Sequence, residues 1–186
     1  MTEVSQKRPR RGALVAVALI LIVAILFAVM RFLPGDPRQI LEERYGAEII
    51  QFEEILEVSL AAPEIQDLSE VAPLLAELGK LASLDVSLCS ALESFSGLEQ
   101  LPDIESFSSA GCTKLKTLEG IASLKKIRTL VLSDCEQLSG EISIPASSTL
   151  QNLYIENCPK ITSLSIDGTP ALVQLFLGGD IKLKSI

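Results

Sequence analysis

The chain has 186 residues, of which 48% are apolar and only 4% aromatic, and it contains no histidine. Its formal net charge is −8, and residues 34–186 carry 11 basic and 23 acidic side chains, a net of −12. Such a body is repelled by nucleic acids and by anionic lipids, which excludes nucleic-acid binding as a main role. Without histidine the chain lacks the most common general base and metal ligand, so we expect no metal and no cofactor.

The amino-terminal region has a basic head, residues 1–12, followed by a long apolar run. The head contains four basic side chains and one acid, and 18 consecutive apolar residues run from Ala13 to Met30. As a helix, residues 13–33 would measure about 31 Å, which predicts a single-pass anchor in the lipid bilayer. The basic head predicts a cytoplasmic amino terminus, with the rest of the chain periplasmic or extracellular. A cleaved signal peptide is the alternative, but the run is long and ends without a small-x-small cleavage site.

Residues 34–80 are predicted to form a linker and an amino-terminal cap unit. A short helix is expected over residues 37–45, because an aspartate in N-cap position precedes a proline there and a glycine follows. Residues 55–60 are typical of a strand. Ser69 is predicted to cap a second helix over residues 70–78. Such a block would shield the apolar end of a repeat array.

Four cysteines, each 23 residues after the last, mark the segment 81–186. They are Cys89, Cys112, Cys135 and Cys158. Apolar residues stand at fixed offsets from each cysteine, and the fourth unit gives the pattern Leu150, Leu153, Ile155, Cys158, Ile161 and Leu164. The second unit has Ser109 at a position where an apolar residue is expected, and a fifth unit has Asp180 in place of the cysteine. A period of this length is the signature of a stacked solenoid.

The pattern LxxLxLxxCxxLxxL resembles that of the leucine-rich repeat family, with Cys where many members carry Asn. The resemblance covers roughly residues 55–186 and implies an α/β solenoid. Five repeats would form an arc, each with one short parallel strand on the concave face. The alternation of inward and outward residues around Tyr154 agrees with such a strand. Between strands, residues 121–127 favour a helical turn, whereas 139–140 and 165–170 contain helix breakers and should be extended or turn-like.

The cysteines should stack in a column, since neighbouring strands lie about 4.8 Å apart. That spacing permits a disulfide. Free thiols are the preferred interpretation, because an inward cysteine acts as a small apolar residue whose S–H reaches backbone carbonyls.

The outward residue at the centre of each predicted strand is the candidate protein-binding site. These five residues, called here the strand column, are Asp85, Ser108, Val131, Tyr154 and Phe176. The first two are polar, and the last three form an apolar and aromatic stripe beside polar neighbours. Such a stripe is typical of protein-binding faces. The alternative is that outward apolar residues merely satisfy strand propensity.

These features favour a membrane-anchored protein that recognises another protein outside the cytoplasm and is not an enzyme. A structural or self-assembling scaffold and a regulator of a neighbouring membrane protein are the alternatives. The fifth repeat stops at Ile186 without a polar cap over Leu175, Leu177 and Leu183. We therefore expect either that this repeat self-associates with another chain or that the protein continues with more repeats.

Overall fold

The computed structural model describes residues 35–52 and 55–179, and the chain divides into two units, residues 1–35 and 36–186. The predicted basic head and the predicted anchor at residues 13–33 lie outside the described residues. In the described ranges, no helix is both long and apolar enough to cross a membrane. The transmembrane part of the predicted fold therefore has no support in the structure.

The described part of the second unit consists mainly of strands. Its helices are α1 (Pro37–Tyr45), α2 (Ala72–Glu77) and two 3-10 helices, Leu98–Gln100 and Ile121–Ser123. Its strands are β1 (Glu48–Phe52), β2 (Ile55–Ser59), β3 (Leu81–Asp85), β4 (Ser106–Ser108), β5 (Thr129–Ser133), β6 (Ser139–Ser143), β7 (Asn152–Glu156), β8 (Lys160–Ser165) and β9 (Gln174–Gly178). The predicted α/β class is wrong: the protein is a mostly β solenoid with few helices, because the segments that return between strands are too short and too rich in breakers for α-helices.

Seven strands form one sheet in the order β1-β2-β3-β4-β5-β7-β9. Strand β1 pairs antiparallel with β2, and every later neighbour is parallel. From β3 onward, partners in register occupy equivalent positions of successive sequence repeats, as Ser106↔Thr129 and Asn152↔Gln174 illustrate. The predicted solenoid of stacked parallel strands, with one turn for each sequence repeat, is confirmed.

Behind this sheet the chain returns in two different ways. The two 3-10 helices follow Gly97 and Gly120, whose φ angles are +108° and +98°. Later in the chain, β6 and β8 form a second, parallel pair. The predicted helical turn in residues 121–127 is thus a 3-10 helix of three residues, and the segment 139–140 is extended as predicted.

The amino-terminal elements join the array through β2, which pairs with β3. Helix α1 begins after Asp36, whose side chain accepts a hydrogen bond from Arg38 N at 3.0 Å, and it ends at Gly46 with φ of 56°. The prediction for residues 37–45 is confirmed. Leu41 is fully buried against the core that continues into the repeats.

The second helix is shorter than predicted, and its cap is not Ser69. Helix α2 starts at Ala72 after Val71, and proline occupies its first turn. Because proline lacks an N–H and fits only the first turn of a helix, Pro73 fixes where the helix begins. Ser69 N instead donates to Asp67 Oδ1 at 2.8 Å in the preceding turn.

The inward residues of the repeats form one continuous core. In the fourth unit, every residue of the predicted pattern from Leu150 to Leu164 is at most 1% exposed. The exceptional Ser109 is buried too, and its hydroxyl donates to Val131 O at 3.3 Å. Burial of a hydroxyl that has a hydrogen-bond partner costs little free energy of folding, so a serine is tolerated at this apolar position.

Candidate functional site

The strand column is continuous in the structure. Asp85 pairs with Ser108, Ser108 with Val131, Val131 with Tyr154, and Tyr154 with Phe176. In the first four of these strands, the residues before and after the column residue are buried, whereas the column residue is not. The five side chains therefore stand side by side on the outer face of the sheet.

Ser87 organises the polar end of the strand column. Its backbone N donates to Asp85 Oδ1 at 2.8 Å, and its hydroxyl makes a short hydrogen bond to the same oxygen. The Ser87 hydroxyl also lies 3.1 Å from Ser108 Oγ and accepts from Ala110 N at 3.1 Å. These bonds fix the position of the Asp85 carboxylate, so the outer face carries an oriented negative charge.

Tyr154 and Phe176 form the aromatic end of the strand column. Their ring centroids are 6.5 Å apart and their planes are inclined by 41°. The Tyr154 hydroxyl donates to Gln174 Oε1 at 2.7 Å, which holds its ring against β9. Phe176 keeps 50% of its surface exposed. The pair therefore offers a fixed aromatic surface to a ligand at little cost in conformational entropy.

Gly178 leaves room for the Phe176 ring, a role that the sequence did not predict. A β-carbon at position 178 would lie 2.8 Å from Phe176 Cε1 and 3.4 Å from Glu156 Cγ. Any larger residue would displace the ring. Because this contact depends on a side-chain conformation, no sequence pattern identifies it.

A left-handed turn, which the repeat pattern did not predict, follows each strand of the main sheet from β3 onward. The residue before each cysteine has a positive φ, as does the corresponding residue of the fifth unit. These residues are Leu88, Gly111, Asp134, Asn157 and Gly179. Four of the five are Gly, Asn or Asp, the types that tolerate this conformation best, and this preference was the available signal. Asn157 Nδ2 donates to Asp134 Oδ1 at 2.8 Å, which links two successive turns.

The four cysteines are buried and free. Each thiol donates to a carbonyl of the preceding turn: Cys112 Sγ reaches Val86 O at 3.3 Å, and Cys135 Sγ reaches Ser109 O at 3.4 Å. Cys89 and Cys158 make the equivalent, longer contacts at 3.7 Å. The thiols thus connect adjacent turns through their backbone carbonyls, as the preferred interpretation expected.

Burial and hydrogen bonding together set the acidity of these thiols. It raises the pKa of Cys89, and it raises the pKa of Cys112 to about 12. The pKa of Cys135 is also raised, first by its hydrogen bond with Cys158 and then by burial. The same hydrogen bond lowers the pKa of Cys158. The three thiols with a raised pKa stay protonated and are poor nucleophiles. Among the described residues, no group of three or more His, Cys, Asp or Glu side chains is placed to hold a metal ion.

The chain matches no family model, no curated protein and no solved structure. The fold by itself therefore defines the class: a repeat protein whose parallel strands stack with one strand of the main sheet for each sequence repeat. Its strand column is a continuous, open strip of side chains on the face opposite the core.

Proposed function

We propose that the array from β3 to β9 is a leucine-rich-repeat module that recognises another protein through the strand column. The resemblance in the repeat pattern, together with the in-register stacking of one short strand per repeat, supports the family assignment. Such an array presents an extended surface to macromolecules, and repeat proteins commonly bind through it. This proposal concerns the repeat array and is independent of the cellular compartment.

The observation that carries the proposal is the contact between Tyr154 and Phe176 on the outer face. Strand propensity alone would explain single outward aromatic residues. It does not explain two rings that touch across β7 and β9, one of them held by a hydrogen bond to Gln174. Rigid aromatic side chains beside polar neighbours dominate the binding energy of protein interfaces.

The test is a comparative capture from the native cell extract with the 186-residue chain carrying a photocrosslinking amino acid in place of Ser133. This position lies on the outer face of β5, one strand from Tyr154 and two strands from Phe176, and its replacement leaves the hydrogen bond between Tyr154 and Gln174 intact. We expect a specific crosslinked protein that is lost in the Phe176→Ala variant. Val173→Ala is the matched control, because Val173 is 82% exposed yet lies outside the strand column. An adduct of equal yield in the Phe176→Ala variant would contradict the proposal.

Self-association is the second candidate function, and the exposure of apolar side chains in β9 and directly before it favours it. Val173 is 82% exposed, Leu175 is 36% exposed and Phe176 is 50% exposed, which places three apolar side chains at one end of the described sheet. Clustered apolar exposure of this kind is characteristic of association surfaces. Light scattering on the 186-residue chain should then give a dimer that dissociates when Val173 is replaced by Glu. A monomer at all protein concentrations would contradict this candidate.

A further inference from the structure

The outer face of the seven-stranded sheet has an uneven distribution of charge. Strand register places Glu48 and Glu57 on the same face as the strand column, since Glu48 pairs with Ser59, which pairs with Asp85. Glu156 stands on that face two residues beyond Tyr154. The outward positions of the described strands in this sheet thus carry four carboxylates, Glu48, Glu57, Asp85 and Glu156, and neither lysine nor arginine.

Two cations that precede strands of this sheet are paired with carboxylates at its edge. Arg128 Nε lies 2.9 Å from Glu105 Oε2, and Lys126 Nζ lies 2.7 Å from Asp103 Oδ1. Both pairs precede their strands and do not stand at outward strand positions. Within the described residues, the four carboxylates of the outer face make no ion pair, so their negative charge is available to a ligand.

The Asp85 carboxylate is the best placed of the four. Both hydrogen bonds from Ser87 go to its Oδ1, so Oδ2 is the oxygen left to accept from a ligand. An ion pair with an oriented carboxylate is stronger than one with a mobile carboxylate, because less side-chain entropy is lost on binding.

The distance from this carboxylate to the aromatic end sets the geometry of a ligand. Three strand spacings separate Asp85 from Tyr154 and four separate it from Phe176, which amounts to about 14 and about 19 Å. An extended chain covers about 3.3 Å per residue. A ligand that crosses the strands would therefore carry its two matching groups about four to six residues apart.

We propose that the outer face binds an extended basic segment of a partner protein. A lysine or arginine of that segment pairs with Asp85, and an aromatic or long aliphatic residue four to six positions away packs on Tyr154 and Phe176. The remaining carboxylates attract the segment and disfavour acidic competitors. This inference rests on the proposed function and adds the chemistry of the partner.

The test uses a fluorescein-labelled synthetic peptide in which arginine and phenylalanine are five positions apart in a Gly-Ser background. Fluorescence anisotropy with the 186-residue chain measures its Kd. Comparison peptides place the two residues next to each other, or replace arginine by glutamate. We expect the spaced arginine peptide to bind at least about tenfold more tightly than either, as one charge-assisted hydrogen bond accounts for about this factor.

Variants of the protein then assign the two contacts. Asp85→Asn should weaken binding of the spaced peptide about tenfold and reduce its dependence on salt concentration, while the other three carboxylates keep part of that dependence. Phe176→Ala should weaken binding while the salt dependence is kept. Glu136→Gln, which removes an exposed carboxylate from a turn outside the outer face, is the control and should leave the Kd unchanged. Circular dichroism of each variant checks that the fold is retained.

The inference is overturned if the spaced and adjacent peptides bind equally, or if Asp85→Asn leaves both the Kd and its salt dependence unchanged. Failure of the proposed function can be distinguished from failure of this inference. If the adduct formed by the crosslinker at position 133 is lost in Phe176→Ala while these peptides do not bind, the face recognises a protein of different chemistry. If Phe176→Ala leaves the adduct unaffected but the spaced peptide binds as expected, the outer face binds basic segments of this spacing, and the captured protein is not its ligand.

Discussion

A β-carbon added to Gly120 would lie 2.2 Å from the carbonyl oxygen of Phe95. The same relationship occurs one sequence repeat earlier, where a β-carbon on Gly97 would lie 2.5 Å from Leu68 C. Backbone therefore meets backbone between successive turns of the solenoid at these two positions. Both glycines also have a positive φ, so no other residue satisfies the space and the conformation together.

Replacement of Gly120 by Ala should destabilise the protein by about 2–4 kcal/mol. About 1–2 kcal/mol comes from the positive φ, and the rest comes from the clash with Phe95. The matched control is Gly140→Ala, because Gly140 has a φ of +79° but nothing within 4 Å of an added β-carbon. Urea unfolding followed by circular dichroism measures both variants. Equal losses of stability would mean that the close approach to Phe95 has no energetic weight.

Leu88 is strained, and its replacement by Asn should stabilise the protein by about 1 kcal/mol. It has a φ of +67° and is 74% exposed. The left-handed conformation costs a branched side chain about 1–2 kcal/mol, whereas Asn tolerates it. Leu88→Ala is the control, because it removes the exposed side chain and keeps most of the strain. A thermal melt should rank Leu88→Asn above both the control and the natural chain; a midpoint no higher than that of Leu88→Ala would refute the strain.

The free energy of unfolding should fall as the pH rises from about 9 towards 12. The pKa of Cys112 is raised from 9.0 to about 12, chiefly by burial, so the unfolded chain loses this proton first. Since the folded state then binds more protons than the unfolded state, stability decreases with pH across this window. Urea titrations at several pH values measure the decrease. It should be smaller in Cys112→Ala, and parallel curves for the two proteins would contradict the assignment.

The ion pair between Arg128 and Glu105 should contribute little to stability. Its nitrogen and oxygen atoms are 2.9 Å apart, but the side chains are 53% and 48% exposed. Exposed pairs are screened by solvent and salt, so a double-mutant cycle with Ala at both positions should give a coupling energy of at most about 1 kcal/mol. The coupling should vanish in about 1 M salt. A coupling above about 2 kcal/mol that persists in salt would require a buried or cooperative network.

The placement of the strand column could be predicted because the repeat period leaves little freedom. Each turn must bury its Leu, Ile and Cys positions against the next, and a shift of one residue would turn those side chains outward. Outward residues at the same position of successive repeats therefore have to be neighbours in the sheet. Val131 is paired with Tyr154, and Tyr154 with Phe176, as this rule requires. The cysteines followed the same rule, and their burial could be predicted for that reason.

The return segments could not be predicted with the same certainty. Residues 121–123 form a 3-10 helix, whereas the equivalent region of the next repeat lies beside β6, which pairs with β8. Neither segment has enough periodic apolar residues to specify its own conformation. Packing against the neighbouring turn therefore decides whether it forms a 3-10 helix or a strand. The family resemblance implied an α/β class, whereas these short return segments give a mostly β solenoid.

The sequence by itself determined that the chain forms a solenoid, how long each turn is and which side chains share a face. These properties depend on a hydrophobic pattern that recurs with every sequence repeat. Only the tertiary structure decided that Ser87 orients Asp85, that the rings of Tyr154 and Phe176 touch, and that Gly120 meets Phe95. Those relationships join different turns of the chain, and they depend on side-chain conformations and close approaches of the backbone that no one-dimensional period encodes.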